Sequence, residues 1–240
     1  MSDVMKKDIS RIRSDIDHIQ KKKTKDELIY LVHFFCIHNN LHYQQGMIDL
    51  AIPFIMLRII KFKISYCYAL FNGFMKKNKN LYLYKHFIHI QNNNYQQRIE
   101  LPYNIASLYF IKLLISYHLP HILTLFQTDH ISLMSVWVLT LFSQKTEITQ
   151  VMIIYDRYIK KDNPLFIIYL CMAKIIQNCE SIEEFLDGNE DEFLEYLSKH
   201  LIHIKFNKEK EIDEWFELAD TIRANTPRSF EWLIDFSGYN

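Results

Sequence analysis

Glycine is scarce in this chain, with four residues in 240, alongside five prolines. A β-sandwich or barrel needs many tight turns, and those turns draw on glycine and proline, so the shortage argues for helices. Net charge is lacking as well, since 28 basic residues face 28 acidic ones. No global field attracts anionic lipid, and no nucleic-acid partner is expected. Long apolar runs are missing: the stretches around 50–57 and 131–142 fall short of the roughly 20 residues that span a bilayer. The opening MSDVMKKDIS is polar and carries no secretory pattern. Cys36, Cys67, Cys171 and Cys179 form no CxxC pair and lie in apolar contexts, which fits buried free thiols in a reducing cytoplasmic compartment. Neither GxxxxGKS/T nor GxGxxG occurs, and no GxSxG elbow is present. The chain thus has no recognisable nucleotide loop or serine nucleophile of its own.

What is there is helical periodicity. In DELIYLVHFFCIHNN, Leu28, Leu31, Val32 and Phe35 mark one stripe, with Asp26 and Glu27 expected in the first turn. Asn39 and Asn40 close that helix, and another is expected from Met47 to Arg58, with Pro53 in its early turns. Further helices are predicted at 64–77, 80–92, 104–118, 131–142, 147–160, 165–178, 190–203 and 211–225, bounded by Pro, Asn, Asp and Gly punctuation. Strands stay open where Tyr, Ile and Phe are dense, as in 81–90, although nothing alternates cleanly there. The Asn/Lys-rich patches at 76–80 and 91–94 read as loop tips. No internal repeat is visible, and an all-α single domain is expected.

Eleven histidines prompt a search for metal ligands. His86/His89, His200/His203 and His38/His42 each suit one helix face, but no third or fourth ligand converges by spacing, and no metal site is expected. Two short segments stand out instead. In MKKDISRI, Asp8 and Arg11 are three apart, the spacing at which a carboxylate holds a guanidinium on a helix face. In HYQQGM, two glutamines and Tyr43 crowd against Gly46, the first glycine of the chain.

Taken together, Met5-x-x-Asp8-x-x-Arg11 followed by Tyr43-x-Gln45-Gly46 resembles the paired IxxDxxR and YxQ motifs of the TBC family of Rab GTPase-activating proteins. SVWVLTLFS at 135–143, IIYDRYIKKDNPLFIIYLCMAKI at 153–175 and ANTPRSF at 224–230 are similar to later stretches of that family. Met5 stands where the family has isoleucine, and Tyr155 where it commonly has tryptophan. The resemblance implies an all-α, two-lobed, multi-helix domain lacking the usual N-terminal helices, with both motifs in a lobe of about 1–128 and a second lobe of about 129–240. It implies Arg11 and Gln45 as arginine and glutamine fingers, with Asp8 holding Arg11, Tyr43 beside the glutamine turn, and Gly46 clearing space for the partner. A common groove lined by Arg11, Gln45 and Tyr43 is expected. The implied partner is a GTP-bound Rab-type small GTPase in vesicle traffic. GTP and Mg²⁺ would belong to that partner, and the chain would have no cofactor of its own. Its place would be cytoplasmic, meeting endomembranes only through the lipid-anchored partner. The alternatives are a catalytically impaired helical adaptor, or an unrelated helical domain in which Arg11 and Gln45 lie far apart.

Overall fold

A computed structural model describes residues 3–77, 86–92, 95–101, 103–161, 163, 165–232 and 234–235. Its helices are α1 (Asp3–Ser10), α2 (Asp17–Gln20), α3 (Lys22–His38), α4 (Met47–Met56), α5 (Ile64–Lys77) and α6 (Tyr103–His118). After a 3₁₀ turn at Pro120–Leu125 come α7 (Thr128–Ser132), α8 (Ser135–Thr140), α9 (Ile148–Ile159), α10 (Phe166–Gln177) and α11 (Cys179–Glu183). Then follow α12 (Glu190–Tyr196), a π-helical turn at Leu197–Leu201, α13 (Glu209–Asn225) and α14 (Ser229–Trp232). One small sheet accompanies them, in the order β2 (Tyr95–Leu101), β1 (His86–Asn92), β3 (Ile234–Asp235).

The core is organised around α10. Its residues Phe166 to Ala173 are all buried, as expected of a helix apolar on every side, and it packs against α13, α6 and α8. Two tryptophans fix neighbouring elements while keeping their indoles satisfied. Trp137 Nε1–H donates to the Ile202 carbonyl at 2.9 Å, and Trp215 Nε1–H donates to the Leu170 carbonyl at 3.1 Å. The hydrophobic cluster runs without a break from Met5 to Ile222. Met5, on the buried side of α1, is only 2 % exposed and roots that short helix against α4.

The helices 64–77, 104–118, 147–160, 165–178 and 211–225 appear within two residues of their expected limits. Other expectations need correction. Residues 86–92 are a strand, not the end of a helix: β1 pairs antiparallel with β2, His86 opposite Leu101 and Asn92 opposite Tyr95. A short run of Ile, Phe and Tyr suits either state, and partner strands decided here. The rest of that expected helix, 80–85, and the loop-tip positions 78–80 and 93–94 lie outside the described residues. The expected helix 131–142 is divided between α7 and α8, and Leu141 and Phe142 adopt left-handed backbone (φ 44° and 64°). Both of those side chains are buried, and the Phe142 ring meets Trp215 edge-on at 5.0 Å. Tertiary packing overrides helix continuity at that point. The segment 190–203 ends as a π-helical turn. Helix α3 begins at Lys22, which moves Asp26 and Glu27 out of its first turn, and Glu27 instead pairs with Arg58. Cys179 is half-buried, unlike the other three thiols.

Candidate functional site

Helix α4 begins at a turn whose backbone only glycine fits well. Met47 N–H donates to the Gln44 carbonyl at 3.2 Å, and Gly46 has φ +89° and ψ −12°. These are the features of a type II turn, with glycine at its third position and Gln45 at the corner. The Gln45 side chain is exposed and, among the described residues, makes no hydrogen bond. Gly46 itself is buried. A Cβ built on it would lie 2.7 Å from the Leu139 carbonyl oxygen in α8. Within the chain, the clearance that glycine provides is against its own backbone.

Asp8 joins the two motif segments. Its Oδ2 accepts the Gly46 N–H at 2.9 Å and also the Tyr43 hydroxyl. Its carbonyl accepts the Arg11 N–H at 3.0 Å. Covalent geometry then keeps the Arg11 and Gly46 nitrogens within about 11 Å of each other. The carboxylate does not hold the Arg11 guanidinium as the i,i+3 spacing suggested; its Oδ2 serves turn residues 35 and 38 positions away. Arg11 is exposed and, among the described residues, its side chain has no ion pair or hydrogen bond.

The neighbouring arginine behaves oppositely. Arg13 Nη1 donates to the carbonyls of Ser143 at 2.5 Å and Thr146 at 2.9 Å, while Nε and Nη2 grip Asp15 at 2.7 and 2.5 Å. The hydrogen bond from Arg13 is the main cause holding the Asp15 carboxyl below its usual range, against the opposing effect of burial. With its donors engaged and its side chain 10 % exposed, Arg13 is a staple, and Arg11 is the guanidinium left free. Sequence reasoning missed Arg13. Its one local signal was Asp15 two residues on.

Asp49 was missed too, although a lone acid in the apolar run MIDLAIPF was visible. It sits in the first turn of α4, 8 % exposed. Burial, then the charge of Asp8, pushes its carboxyl up to about 7, with Arg13 working in the opposite direction. Tyr43 is raised as well, by burial first and then by Asp8. Pro53, seven residues into α4, has no N–H for the Asp49 carbonyl.

This makes stability depend on pH. The folded value of about 7 lies above the ordinary 3.8, so the stabilising contribution is complete below about pH 4 and is lost as pH rises through about 7. Thermal denaturation between about pH 5 and about pH 8 should show Asp49→Asn gaining on wild type as pH rises. A wild-type-minus-variant difference that stays flat with pH would remove Asp49 from this role.

Two open clefts flank α1. One, of ≈ 610 Å³, takes Arg11, Arg13, Gln144, Lys145, His203 and Lys205 among its lining. The other, of ≈ 400 Å³, is lined by Met5, His33, Cys36, Ile37 and Tyr43 among others. Arg11 and Tyr43 thus face different clefts, and Gln45 lines neither. Neither of these clefts collects Arg11, Gln45 and Tyr43 together; what joins their segments is Asp8.

The family model for the Rab-GTPase-TBC domain matches residues 2–183, from α1 to the end of α11. Among solved structures, the Ypt/Rab-GAP domain of Gyp1p aligns with a TM-score of 0.66 over 92% of this chain and 72% of that chain, at 14% sequence identity. At that identity the likeness is one of fold. Among the described residues, no helix is long and apolar enough to cross a membrane.

Proposed function

The chain belongs to the Rab-GTPase-TBC domain family, and from that membership we propose that it accelerates GTP hydrolysis by a Rab-type GTPase, supplying Arg11 and Gln45 in trans. The observation that carries the reading is the Asp8 junction. One residue tethers the α1 segment to the glutamine turn, and Arg11 and Gln45 are both exposed, a guanidinium and a carboxamide without a side-chain hydrogen bond or ion pair among the described residues.

The chemistry fits those two groups. Hydrolysis by a small GTPase is slow because charge on the phosphoryl oxygens is poorly neutralised and the attacking water poorly placed. Arg11 is planar and permanently charged, so it would bridge charge developing between the β- and γ-phosphates. The Gln45 amide donates and accepts at once, so it would orient the water. Asp8 and Tyr43 act as positioning residues, since both hold the turn that carries Gln45. GTP and Mg²⁺ arrive with the GTPase. Regulation of vesicle traffic follows from the nature of such partners, and the membrane is met through their lipid anchors.

Single-turnover GTP hydrolysis by a panel of Rab-type GTPases tests the proposal. At least one member should be accelerated. Gln45→Ala should reduce that acceleration by roughly 10²-fold, the lower range for one positioned catalytic group, while leaving binding of the GTP form in place. Binding without acceleration anywhere in the panel would replace the enzyme reading with an adaptor.

A further inference from the structure

Away from the Asp8 junction, three side chains that play no part in it converge on one point. His121 belongs to the 3₁₀ turn, while Cys179 and Glu183 are the first and last residues of α11. Four positions apart on a helix, Cys179 and Glu183 share one face, and the chain 62 residues earlier brings His121 onto it. His121 Nε2 lies 2.8 Å from Glu183 Oε1, and Cys179 Sγ–H donates to the same oxygen at 3.2 Å. The three ligand atoms all lie within 4.8 Å of one another.

We propose that His121, Cys179 and Glu183 form a binding site for a zinc-class divalent cation, with a fourth position open to water. The spacing suits such an ion. Tetrahedral zinc, with bonds of about 2.0–2.3 Å, sets adjacent ligand atoms about 3.3–3.6 Å apart, close to the separations of the Glu183 oxygen from both neighbours, and side-chain rotation would close the third pair, which lies within 4.8 Å. Imidazole, thiolate and carboxylate together favour zinc or cobalt over magnesium or calcium, which prefer oxygen alone. His121 and Glu183 are 49% and 42% exposed, which leaves a route in and room for the water. Among the described residues, the pairs His200/His203 and His38/His42 gather no third donor. His38 Nδ1, for one, is engaged with the Tyr68 hydroxyl at 2.5 Å.

Without an ion, Glu183 does the ion's work by hydrogen bonding to both neighbours. The hydrogen bond from His121, followed by that from Cys179, holds its carboxyl below the usual range. Burial, followed by Glu183, pushes the Cys179 thiol up to about 11. Cys179 Sγ–H is the donor to Glu183, and coordination breaks its S–H bond, forms the S–metal bond and sends one proton to solvent. The imidazole proton moves to Nδ1, which leaves Nε2 free to ligate. Apparent affinity should then rise about ten-fold per pH unit near neutrality. The occupied site would clip the 3₁₀ turn to α11.

Titration of the full chain with Co²⁺, followed by displacement with Zn²⁺, tests this without reference to GTP hydrolysis. The expected result is one ion per chain, a thiolate-to-cobalt absorption band, one proton released, and a raised melting temperature. Cys179→Ser should abolish the band, and Glu183→Gln should weaken binding by more than about ten-fold. His121→Ala should behave like Glu183→Gln. Because these side chains are half-buried or exposed, at least one variant should keep the native circular dichroism. A cobalt spectrum without a thiolate band, a band that survives in Cys179→Ser, or no saturable binding would each overturn the proposal.

Discussion

Replacing Arg11 with alanine is expected to lower the stimulated rate of GTP hydrolysis by roughly 10³–10⁵, or about 4–7 kcal/mol of barrier. Stability should barely move. The side chain is exposed and unpaired among the described residues, so its loss removes no contact of the folded state, and surface substitutions of this kind change stability by about 0.5 kcal/mol or less. Arg11→Lys should recover little, because an ammonium cannot reproduce the planar fork that spans two phosphates. Arg13→Ala gives the contrast. It breaks the hydrogen bonds to Ser143, Thr146 and Asp15 and should lower the melting temperature. Single-turnover rates alongside melting curves separate the two arginines. If Arg11→Ala keeps its activity while a folded Arg13→Ala loses it, the finger has been assigned to the wrong residue.

Gly46→Ala should be the most destabilising single change around the Asp8 junction, costing about 2–4 kcal/mol. Two penalties combine. Alanine resists the left-handed backbone at φ +89°, and its Cβ would stand 2.7 Å from the Leu139 carbonyl oxygen, a backbone atom that cannot swing away. Relief requires α4 to shift from α8, which also strains the Asp8 hydrogen bond to the Gly46 N–H and displaces Gln45. For a chain of this size the melting temperature should fall by about 4–16 °C. Gly73, on the exposed side of α5 with nothing within 4 Å of a built Cβ, is the control. Gly73→Ala should stabilise by about 0.5–1 kcal/mol. A Gly46→Ala protein as stable as wild type would mean that the turn does not have the backbone described.

Much of this molecule is legible along the chain because apolar spacing records which face of a helix is buried. The stripe in α3 is an example: Leu28, Leu31, Val32 and Phe35 are all buried. Two kinds of feature escape such reading. The first is any choice made by a distant partner. Residues 86–92 become a strand because 95–101 and 234–235 complete a ladder, and Leu141 bends because Phe142 finds Trp215. The second is contact with backbone atoms, which carry no residue signature. The Arg13 staple ends on two carbonyls, and the constraint on Gly46 is a third. At the site, the residue types Arg11, Gln45, Tyr43 and Gly46 stood out from their motif spacing. Which groups Asp8 would hold did not, because its partners lie 35 and 38 residues away. Local spacing pointed to Arg11 instead.

The anchorage of Arg13 also bears on how the chain is made. Its acceptor carbonyls come 130 and 133 residues later, which at ordinary translation rates is about 7–26 s of synthesis. During that interval the Arg13 guanidinium has no carbonyls to staple, although Asp8 and α1 can already meet the Gly46 turn and α4. The staple on this segment is thus among the last contacts to form, so a nascent chain stalled before Ser143 should leave the stretch around Arg13 more open to protease than a released chain does.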